Sequence, residues 1–380
     1  MIVSVAVVIG FKHQVRDKVI GMGSDIVVSS IEGAQLYQMN PVVANDSLLS
    51  VIQNIPQVSH VQRYATKPGM IMTADNFQGM IVKGVAQEYD WTYLKAHLQE
   101  GEIPALTDSV ASNRVLVSRS MADKLSLKVG DKLYTYYIEG NVRARRLTVS
   151  GIFQTNFSAF DDYFLITDMY TVNRLNGWEP DQVGGVEVAV SDYRFLNSVN
   201  DDIRGHIQEQ TDRYGAIYCS RTSEELYPQI FAWLDLLDTN VWVILILMTG
   251  VAGFTMISGL LIIILERTQM IGVLKALGAD NASIRQIFLS FSVFLIGRGM
   301  CWGNVIGLSC CLIQYFFEPI KLDPATYYVT AVPVELHLGW IVLLNVCTLL
   351  VSVGMLVGPS YLISHIHPCL LYTSPSPRDA

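Results

Sequence analysis

Long apolar runs dominate the second half of the chain. Val241 to Leu265 holds 25 residues without a charge, Leu338 to Ile363 is likewise uncharged, and Ile287 to Phe316 contains one charged residue, Arg298. A helix needs about 20 residues to cross the ~30 Å hydrocarbon core of a bilayer. The alternative is a buried helix of a water-soluble protein, but such apolar stretches are more typically about 10–14 residues long. The three runs therefore predict three membrane-spanning helices.

The chain also begins with an apolar segment. Met1 to Gly10 is too short to span a bilayer, and it has neither the basic start nor the small-residue cleavage site of a signal peptide. We therefore interpret residues 1–14 as the remainder of a first transmembrane helix whose beginning is missing. At the other end, residues 367–380 are rich in Ser and Pro and unrelated to what precedes them, so we expect a disordered, non-native tail.

Between residues 15 and 236 the apolar residues form short alternating or helical patterns rather than long runs. Alternating or β-branched runs predict strands, and apolar residues three or four positions apart predict helices. The β–α–β order near the end of this region indicates a small α/β module, and we expect two lobes, one built on the N-terminal and final segments and one on residues 105–175. The predicted strands are Gln78–Val82, Arg114–Val117, Lys132–Ile138, Arg146–Phe153, Tyr163–Thr167, Val183–Val190 and Ala216–Ser220, and the predicted helices are Pro41–Ile55, Arg119–Leu125 and Phe195–Gln208.

These elements together predict the fold class. It is a membrane protein with an α-helical transmembrane region of four spans, the first one truncated, and a large α+β extracytoplasmic domain inserted between spans 1 and 2. A segment of 21 residues separates spans 2 and 3, and a short loop separates spans 3 and 4. In chain order, the expected segments are residues 1–14, 15–236, 237–265, 266–286, 287–316, 317–337, 338–366 and 367–380.

The charges follow the same division of the chain. Residues 11–239 contain 20 Lys and Arg against 28 Asp and Glu, whereas residues 240–380 contain 6 of each, so the net charge of −8 lies in the first region. Only 16% of all residues are charged, compared with about 25% in a soluble globular domain. An acidic chain lacks the basic surface that neutralises phosphates, which argues against a nucleic-acid partner.

The basic residues near the apolar runs predict the topology. The loop after the first long run carries Arg267, Lys275 and Arg285, whereas the next loop carries only Lys321. By the positive-inside rule the first of these loops is cytoplasmic. Since one span separates that loop from the acidic domain, the domain is expected outside the cytoplasm.

The sequence carries no motif for catalysis or for a metal. There is no Cys-x-x-Cys or Cys/His ligand spacing, and the 7 His residues show no recognisable Ser/His/Asp arrangement. No GxxxxGKS/T loop is present to bind the phosphates of ATP. We therefore expect no catalytic residue, no metal site and no cofactor on this chain.

Two sets of residues resemble a known family. The first is Leu265–Ala279, which reads LERTQMIGVLKALGA; the second comprises Val115–Arg119, Ala122–Leu125, Val129–Lys132 and Val149–Phe153. Together they resemble the FtsX-like/MacB-like permease family of ABC transporters. The large external domain and the absence of a fused ATPase make the chain most similar to the lipoprotein-releasing permeases of the LolC/LolE type.

The resemblance implies that the segment after the second span contains a coupling helix that docks on the ATPase. Met270, Ile271, Leu274 and Leu277 fall at helical spacing and predict one apolar stripe, and Gly278 can end the helix by adopting a positive φ. An ordinary amphipathic helix lying on the membrane is the alternative. The ATPase-coupling candidates are Glu266, Arg267, Met270, Ile271, Leu274, Lys275, Leu277 and Gly278.

The spacing of the glycines and one charged residue indicate further candidate functional residues within the spans. Glycines four residues apart put bare backbone along one helix face, either as a moving interface or as static packing. Arg298 is an intramembrane charge, which costs at least ~2.5 kcal/mol at the bilayer centre, so it either snorkels to the surface or serves transport. The helix-packing candidates are Gly299, Gly303, Gly307, Gly354 and Gly358.

The resemblance implies a permease subunit that releases lipoproteins from the bacterial inner membrane toward a periplasmic carrier. The implied partners are a LolD-like ABC ATPase that binds ATP and Mg, a second permease subunit in a homo- or heterodimer, a LolA-like carrier, and a lipoprotein or lipid substrate. The chain is then a multi-pass, non-catalytic subunit with its large domain in the periplasm. The alternatives are MacB-like efflux of small molecules or peptides and FtsX-like signalling to a periplasmic cell-wall hydrolase.

Overall fold

The computed structural model describes residues 1–33, 40–73, 76–108, 110–139, 141–207 and 210–360, and the expected tail at residues 367–380 lies outside them. The helices are α1 (Ile2–Met22), α2 (Asp46–Gln53), α3 (Thr92–Ala96), α4 (Arg119–Leu125), α5 (Ser158–Asp161), α6 (Met169–Asn176), α7 (Leu196–Ile207), α8 (Ser223–Leu226), α9 (Pro228–Glu266), α10 (Thr268–Ala276), α11 (Asn281–Phe317), α12 (Pro324–Tyr327) and α13 (Leu338–Ser360). The strands are β1 (Ile26–Ser30), β2 (Val42–Val43), β3 (Val58–Met72), β4 (Phe77–Val85), β5 (Leu98–Gly101), β6 (Arg114–Ser118), β7 (Lys132–Glu139), β8 (Asn141–Phe153), β9 (Phe164–Asp168), β10 (Gln182–Val183), β11 (Gly185–Val190) and β12 (Tyr218–Thr222).

The chain divides into two compact units. The sheet unit consists of His13–Phe231 together with Leu322–Thr330. The helical unit consists of Met1–Lys12, Ala232–Lys321 and the described residues from Ala331 onward. The sheet unit therefore contains most of the acidic region, and the helical unit contains the long apolar runs.

The sheet unit is built on a ten-stranded sheet, in the order β12-β1-β11-β3-β4-β9-β6-β8-β5 with β7 paired to β3 and β8. β4 and β9 are parallel, and so are β6 and β8. β11 and β12 both pair antiparallel with β1, which therefore lies between the two strands of the expected β–α–β module. The strands of the two lobes expected from the sequence are thus hydrogen-bonded into one sheet.

Successive strand residues alternate between two buried apolar layers, as the period of two in a strand requires. The first layer includes residues of α2, α4, α6 and α7, and the second includes residues of α1, α3 and α5. Both faces of the sheet are therefore covered. Adjacent residues that belong to opposite layers are Ile81 and Val82, Leu116 and Val117, and Ile166 and Leu165.

Two helices on the first face begin with local side-chain hydrogen bonds. The Asn45 side chain accepts a hydrogen bond from the Leu48 N–H at the start of α2, and the Ser118 hydroxyl accepts one from the Met121 N–H at the start of α4. Such caps satisfy amide groups that have no partner inside the helix. α4 occupies Arg119–Leu125, the range expected from the sequence.

The segment Leu322–Thr330 joins the sheet unit although it lies between α11 and α13 in the chain. The Lys18 ammonium of α1 donates hydrogen bonds to the carbonyl oxygens of Tyr328, at 2.9 Å, and Asn156, at 3.2 Å. The Tyr328 ring also packs against Phe157, with 5.1 Å between ring centroids. Burial lowers the pKa of Lys18 to about 8.

Three helices of the described chain are long and apolar enough to cross a membrane. They are α9, α11 and the Leu338–Val357 part of α13, with mean hydropathies of 2.1, 1.4 and 2.4. These correspond to the second, third and fourth expected spans. The first expected span, residues 1–14, lies in α1, which is not among the helices of sufficient length and hydropathy in the described residues.

Within the helical unit, the first part of α1 packs against α9. Lys12 forms an ion pair with Asp238, and the Phe11 and Trp233 rings meet edge to face with 6.3 Å between their centroids. α1 also extends to Met22, past the expected end of the first span. The helix therefore begins in the helical unit and ends in the sheet unit.

Candidate functional site

The expected coupling segment forms a short helix bounded by two sharp turns. Only Arg267 separates the end of α9 from the start of α10. At the other end, Gly278 adopts φ +91°, its N–H donates to the Lys275 carbonyl, and the Ala279 N–H donates to the Leu274 carbonyl at 2.9 Å. This pair of bonds is the Schellman motif, in which a left-handed glycine ends a helix. The glycine end predicted from the sequence is therefore present.

One face of α10 is anchored against its neighbouring helices. Ile271 is fully buried, and Leu274 packs half-buried against the same apolar cluster. That cluster includes Ile264 of α9 and Phe288 of α11. The inner face of α10 therefore fixes the short helix to the ends of both long helices.

A second face of α10, about 100° around the helix from the buried one, is apolar and open. Met270 is 42% exposed, Val273 56% and Leu277 80%. These residues lie at positions i, i+3 and i+7, which share one side of a helix. We call Met270, Val273 and Leu277 the outer stripe.

The outer stripe differs from the single stripe expected from the sequence. Ile271 does not belong to it, because a residue one position after Met270 is turned about 100° around the helix and here points into the cluster. Val273 does belong to it and was missed, although its distance of three residues from Met270 is visible in the sequence. Of the polar candidates of this segment, Glu266 and Arg267 are exposed and Lys275 is half-buried.

The candidate glycines of α11 and α13 do not form close helix contacts within the described chain. A Cβ atom built on Gly299, Gly303 or Gly354 would have no neighbour within 4 Å among the described residues, and one on Gly307 would meet only the Cβ of Ile2 at 3.9 Å. The surroundings of Gly358 lie outside the described residues. The described glycines therefore leave bare backbone at the surface of this chain.

An open groove of about 230 Å³ passes two of these glycines. Gly303 and Gly307 line it together with residues of α1 and α13. Beside them, the Asn304 amide donates to the Asn345 Oδ1 at 2.8 Å and joins α11 to α13. These two asparagines were not predicted as functional, but uncharged polar residues inside apolar runs are a signal that the sequence offers.

Arg298 lies near the middle of α11 with its side chain exposed, and it has no ion pair with a residue in the described ranges. The residue before Gly299 thus carries a charge on the surface of an otherwise apolar helix. The sequence-predicted candidates therefore lie in two places: the α10 segment and the α11–α13 pair.

Comparison with known proteins covers almost the whole chain. The MacB-like periplasmic core domain family matches residues 1–206, and the FtsX-like permease C-terminal family matches residues 242–368. The lipoprotein-releasing system transmembrane protein LolC of Xylella fastidiosa (strain Temecula1) is 22% identical over 385 residues, which cover 97% of this chain and 89% of the relative. The LolE protein of Haemophilus influenzae is 20% identical over 401 residues, covering 98% and 91%.

Two solved structures align with about half of the chain. The periplasmic region of MacB from Actinobacillus actinomycetemcomitans covers 55% of this chain and 94% of its own, at 12% identity and a TM-score of 0.36. The extracellular domain of the noncanonic ABC-type transporter YknZ from Gram-positive bacteria covers 52% and 99%, at 13% identity and a TM-score of 0.35.

Proposed function

The chain belongs to the family of membrane permeases that join a MacB-like periplasmic core domain to an FtsX-like C-terminal region, and from this premise we propose that it releases lipoproteins from the bacterial inner membrane. In this proposal it is the non-catalytic permease subunit of an ABC transporter of the LolC/LolE type. Similarity to LolC and LolE proteins over nearly the full chain is the observation that carries the proposal.

The outer stripe of α10 is the proposed contact with the ATPase. Three exposed apolar side chains on one side of a short helix are the anchors that such a helix needs to lie in a groove of its partner. Glu266, Arg267 and Lys275 orient the contact, and Gly278 ends it. Because Ile271 anchors α10 to α9 and α11, a displacement of the stripe is passed to both long helices.

ATP hydrolysis on the partner supplies the energy for extraction. Each CH₂ group of an acyl chain contributes about 0.8 kcal/mol to membrane affinity, so a lipidated protein does not leave the bilayer unaided. ATP and Mg are bound by the partner ATPase in this proposal. This chain supplies the membrane helices and the sheet unit, which faces the periplasm and a carrier that receives the lipoprotein.

A second permease subunit, either another copy or a related chain, completes the proposed transporter. The bare glycine surfaces at Gly299, Gly303 and Gly354 suit the close approach of another helix, because small residues let helix backbones meet in a membrane. Gly307 borders the same groove. The charge of Arg298 lies beside this surface and faces protein or water in the assembled transporter.

The test is a release assay with purified components. The full-length chain, its ATPase and its second permease are reconstituted in proteoliposomes with a fluorescent lipoprotein, and the lipoprotein that reaches a soluble carrier is measured. We expect release that requires both ATP and the carrier. ATP hydrolysis without any lipoprotein in the soluble fraction would contradict the proposal, and activation of a cell-wall hydrolase by the same complex would favour signalling.

A further inference from the structure

Arg298 of α11 lies well inside the apolar part of the helical unit. The hydrogen bond between Asn304 and Asn345 places these two residues at one depth. Asn345 is seven residues from the start of the apolar stretch Leu338–Val357, or about 10 Å along the helix. Because consecutive spans cross a bilayer in opposite directions, Arg298, six residues before Asn304, is about 9 Å further in. The backbone of Arg298 therefore lies about 10 Å from the other end of the stretch, within the hydrocarbon.

The side of α11 that carries Arg298 offers no negative group. Phe294 and Leu295 lie one turn before Arg298 and Trp302 one turn after it, and all three are exposed. Arg298 has neither a side-chain hydrogen bond nor an ion pair with any residue that the structure describes. A guanidinium in hydrocarbon is costly unless it is paired or reaches water. Its counter-charge therefore has to come from another molecule.

A second copy of this chain would not supply that counter-charge. The apolar runs Val241–Leu265, Ile287–Phe316 and Leu338–Ile363 contain no Asp or Glu. In a two-fold symmetric pair, the same surface patch lies on both subunits. Two copies that met at this surface would therefore bring two arginines together, and the like charges would repel each other. A different chain can instead place a carboxylate at the depth of Arg298.

The backbone next to Arg298 is open to the close approach of a partner helix. A Cβ atom built on Gly297 or Gly299 would have no neighbour within 4 Å among the residues described. Small residues let helix backbones meet in a membrane, and at that separation a short Asp or Glu side chain reaches the guanidinium and accepts two parallel hydrogen bonds. A phospholipid phosphate is held in the headgroup region, outside the hydrocarbon, which favours a protein carboxylate as the counter-ion.

We propose that Arg298 is a docking residue for the second permease subunit, and that this subunit is a different chain with an Asp or Glu inside the membrane at the depth of Arg298. The proposal rests on the proposed function, which calls for a second permease subunit, and it chooses between the two kinds of subunit named there. The surface lies wholly within the helical unit.

The experiment uses the full chain, labelled with a donor fluorophore, in phosphatidylcholine vesicles. The probe is a synthetic transmembrane helix of about 20 Leu and Ala residues that carries an acceptor and one Asp at the depth of Arg298; a second peptide has Leu in place of the Asp. We expect the Asp peptide to bind about tenfold more tightly, as suits a desolvated charge pair. Arg298→Leu should abolish this preference, and Arg298→Lys, which keeps the charge, should retain most of it.

Arg285→Leu is the matched control. Arg285 is also a basic residue of α11, but it precedes the apolar run that begins at Ile287. We expect this variant to prefer the Asp peptide as strongly as the unmodified chain does. A lipid phosphate as the counter-ion of Arg298 would instead make the Asp and Leu peptides bind alike, and that result would overturn the proposal.

A second measurement tests the choice of a different chain. Donor-labelled and acceptor-labelled copies of the full chain are mixed in the same vesicles, and energy transfer between them reports self-association. We expect Arg298→Leu copies to associate several times more strongly than unmodified copies, because the repulsion is removed. The proposal is overturned if unmodified copies associate as strongly as Arg298→Leu copies, or if Arg298→Leu still prefers the Asp peptide. Neither measurement needs ATP or a lipoprotein, so a failed release assay and a failure of this proposal are distinguishable.

Discussion

The sheet unit and the helical unit bury their apolar residues to different extents. In the sheet unit Leu116 and Val117 are adjacent and both fully buried, because each face of the sheet is covered by the same unit. In the helical unit Phe254 of α9 is 76% exposed and Leu338 of α13 is 79% exposed. Exposed apolar surface of this extent belongs against lipid or another protein.

Polar groups differ between the units in the same way. In the sheet unit the charges of Lys83 and Glu187 are buried and paired. In the helical unit Arg298 is exposed, and the polar contact between α11 and α13 is a neutral pair of asparagines. Substitutions in the sheet unit should therefore change the stability of that unit. Substitutions on the surface of the helical unit should instead change how the chain binds its proposed partner subunits.

The largest expected effect tests the buried pair. Lys83→Met or Glu187→Leu alone leaves one uncompensated charge in the interior and should lower the free energy of unfolding by about 3–5 kcal/mol. Urea unfolding of the full chain in detergent, followed by amide hydrogen exchange in the strands, measures this loss. The double variant should be close to neutral, and Arg298→Leu in the helical unit should leave strand stability unchanged. Single variants as stable as the double would refute this account.

The next effect is a pH dependence confined to the sheet unit. Burial raises the pKa of Asp25 to about 6, while its Oδ2 accepts the Val190 N–H at 2.8 Å. The folded state therefore holds a proton that the unfolded state releases near pH 4. Stability from this group is complete below pH 4 and is lost as the pH rises to about 6, a difference of about 3 kcal/mol.

Asp25→Asn isolates that contribution. The amide oxygen still accepts the Val190 N–H but carries no titrating proton. We expect the variant to lose this part of the stability change between pH 4 and 6, as measured by urea unfolding at each pH. An unchanged pH profile would show that another group is responsible.

The outer stripe provides a smaller effect that concerns binding rather than stability. Leu277→Asp puts a charge where we propose that α10 meets the ATPase, and it should weaken the ATPase complex by about 30-fold, or 2 kcal/mol. Fluorescence titration of the ATPase against the permease in nanodiscs measures this change. Ile271→Val, on the inner face, should instead cost about 1 kcal/mol of stability and leave the affinity unchanged. The reverse pattern would exclude the outer stripe as the contact.

The smallest effect concerns the asparagine pair. Asn304→Leu removes the hydrogen bond to Asn345, and such bonds between membrane helices contribute about 0.6 kcal/mol on average. Thermal unfolding in detergent, compared with Asn345→Leu and the double variant, measures the coupling. A loss of several kcal/mol would mean that the helical unit depends on internal polar contacts as the sheet unit does.

Local features of the fold follow from the sequence. The apolar runs predict α9, α11 and α13, since an almost uncharged run long enough to cross a bilayer has few structures other than a membrane-spanning helix. α4 and the glycine end of α10 are also predicted, because Ser118 and Gly278 act through hydrogen bonds to residues close by in the chain. These features depend on neighbours within about five positions.

Strand pairing and the site chemistry do not follow in the same way. β3 runs from Val58 to Met72 and contains Lys67, Pro68 and Gly69, which interrupt the alternation that marks a strand. Lys83 and Glu187 are 104 residues apart, and a single lysine after an apolar run reads as the end of a strand. The division of α10 into a buried and an exposed face depends on where α9 and α11 lie. The spacing of four apolar residues in the sequence does not give the positions of those helices.

The end of α1 depends on a residue far along the chain. The last turn of α1 holds no basic residue, although the carbonyl end of a helix carries a partial charge of about −0.5 from its aligned peptide dipoles. Lys83, 61 positions away, supplies the missing cation through its contact with the Met22 carbonyl. The positive charge at the C-terminal end of α1 therefore comes from β4. It contacts the Met22 carbonyl only after β4 has folded beside α1.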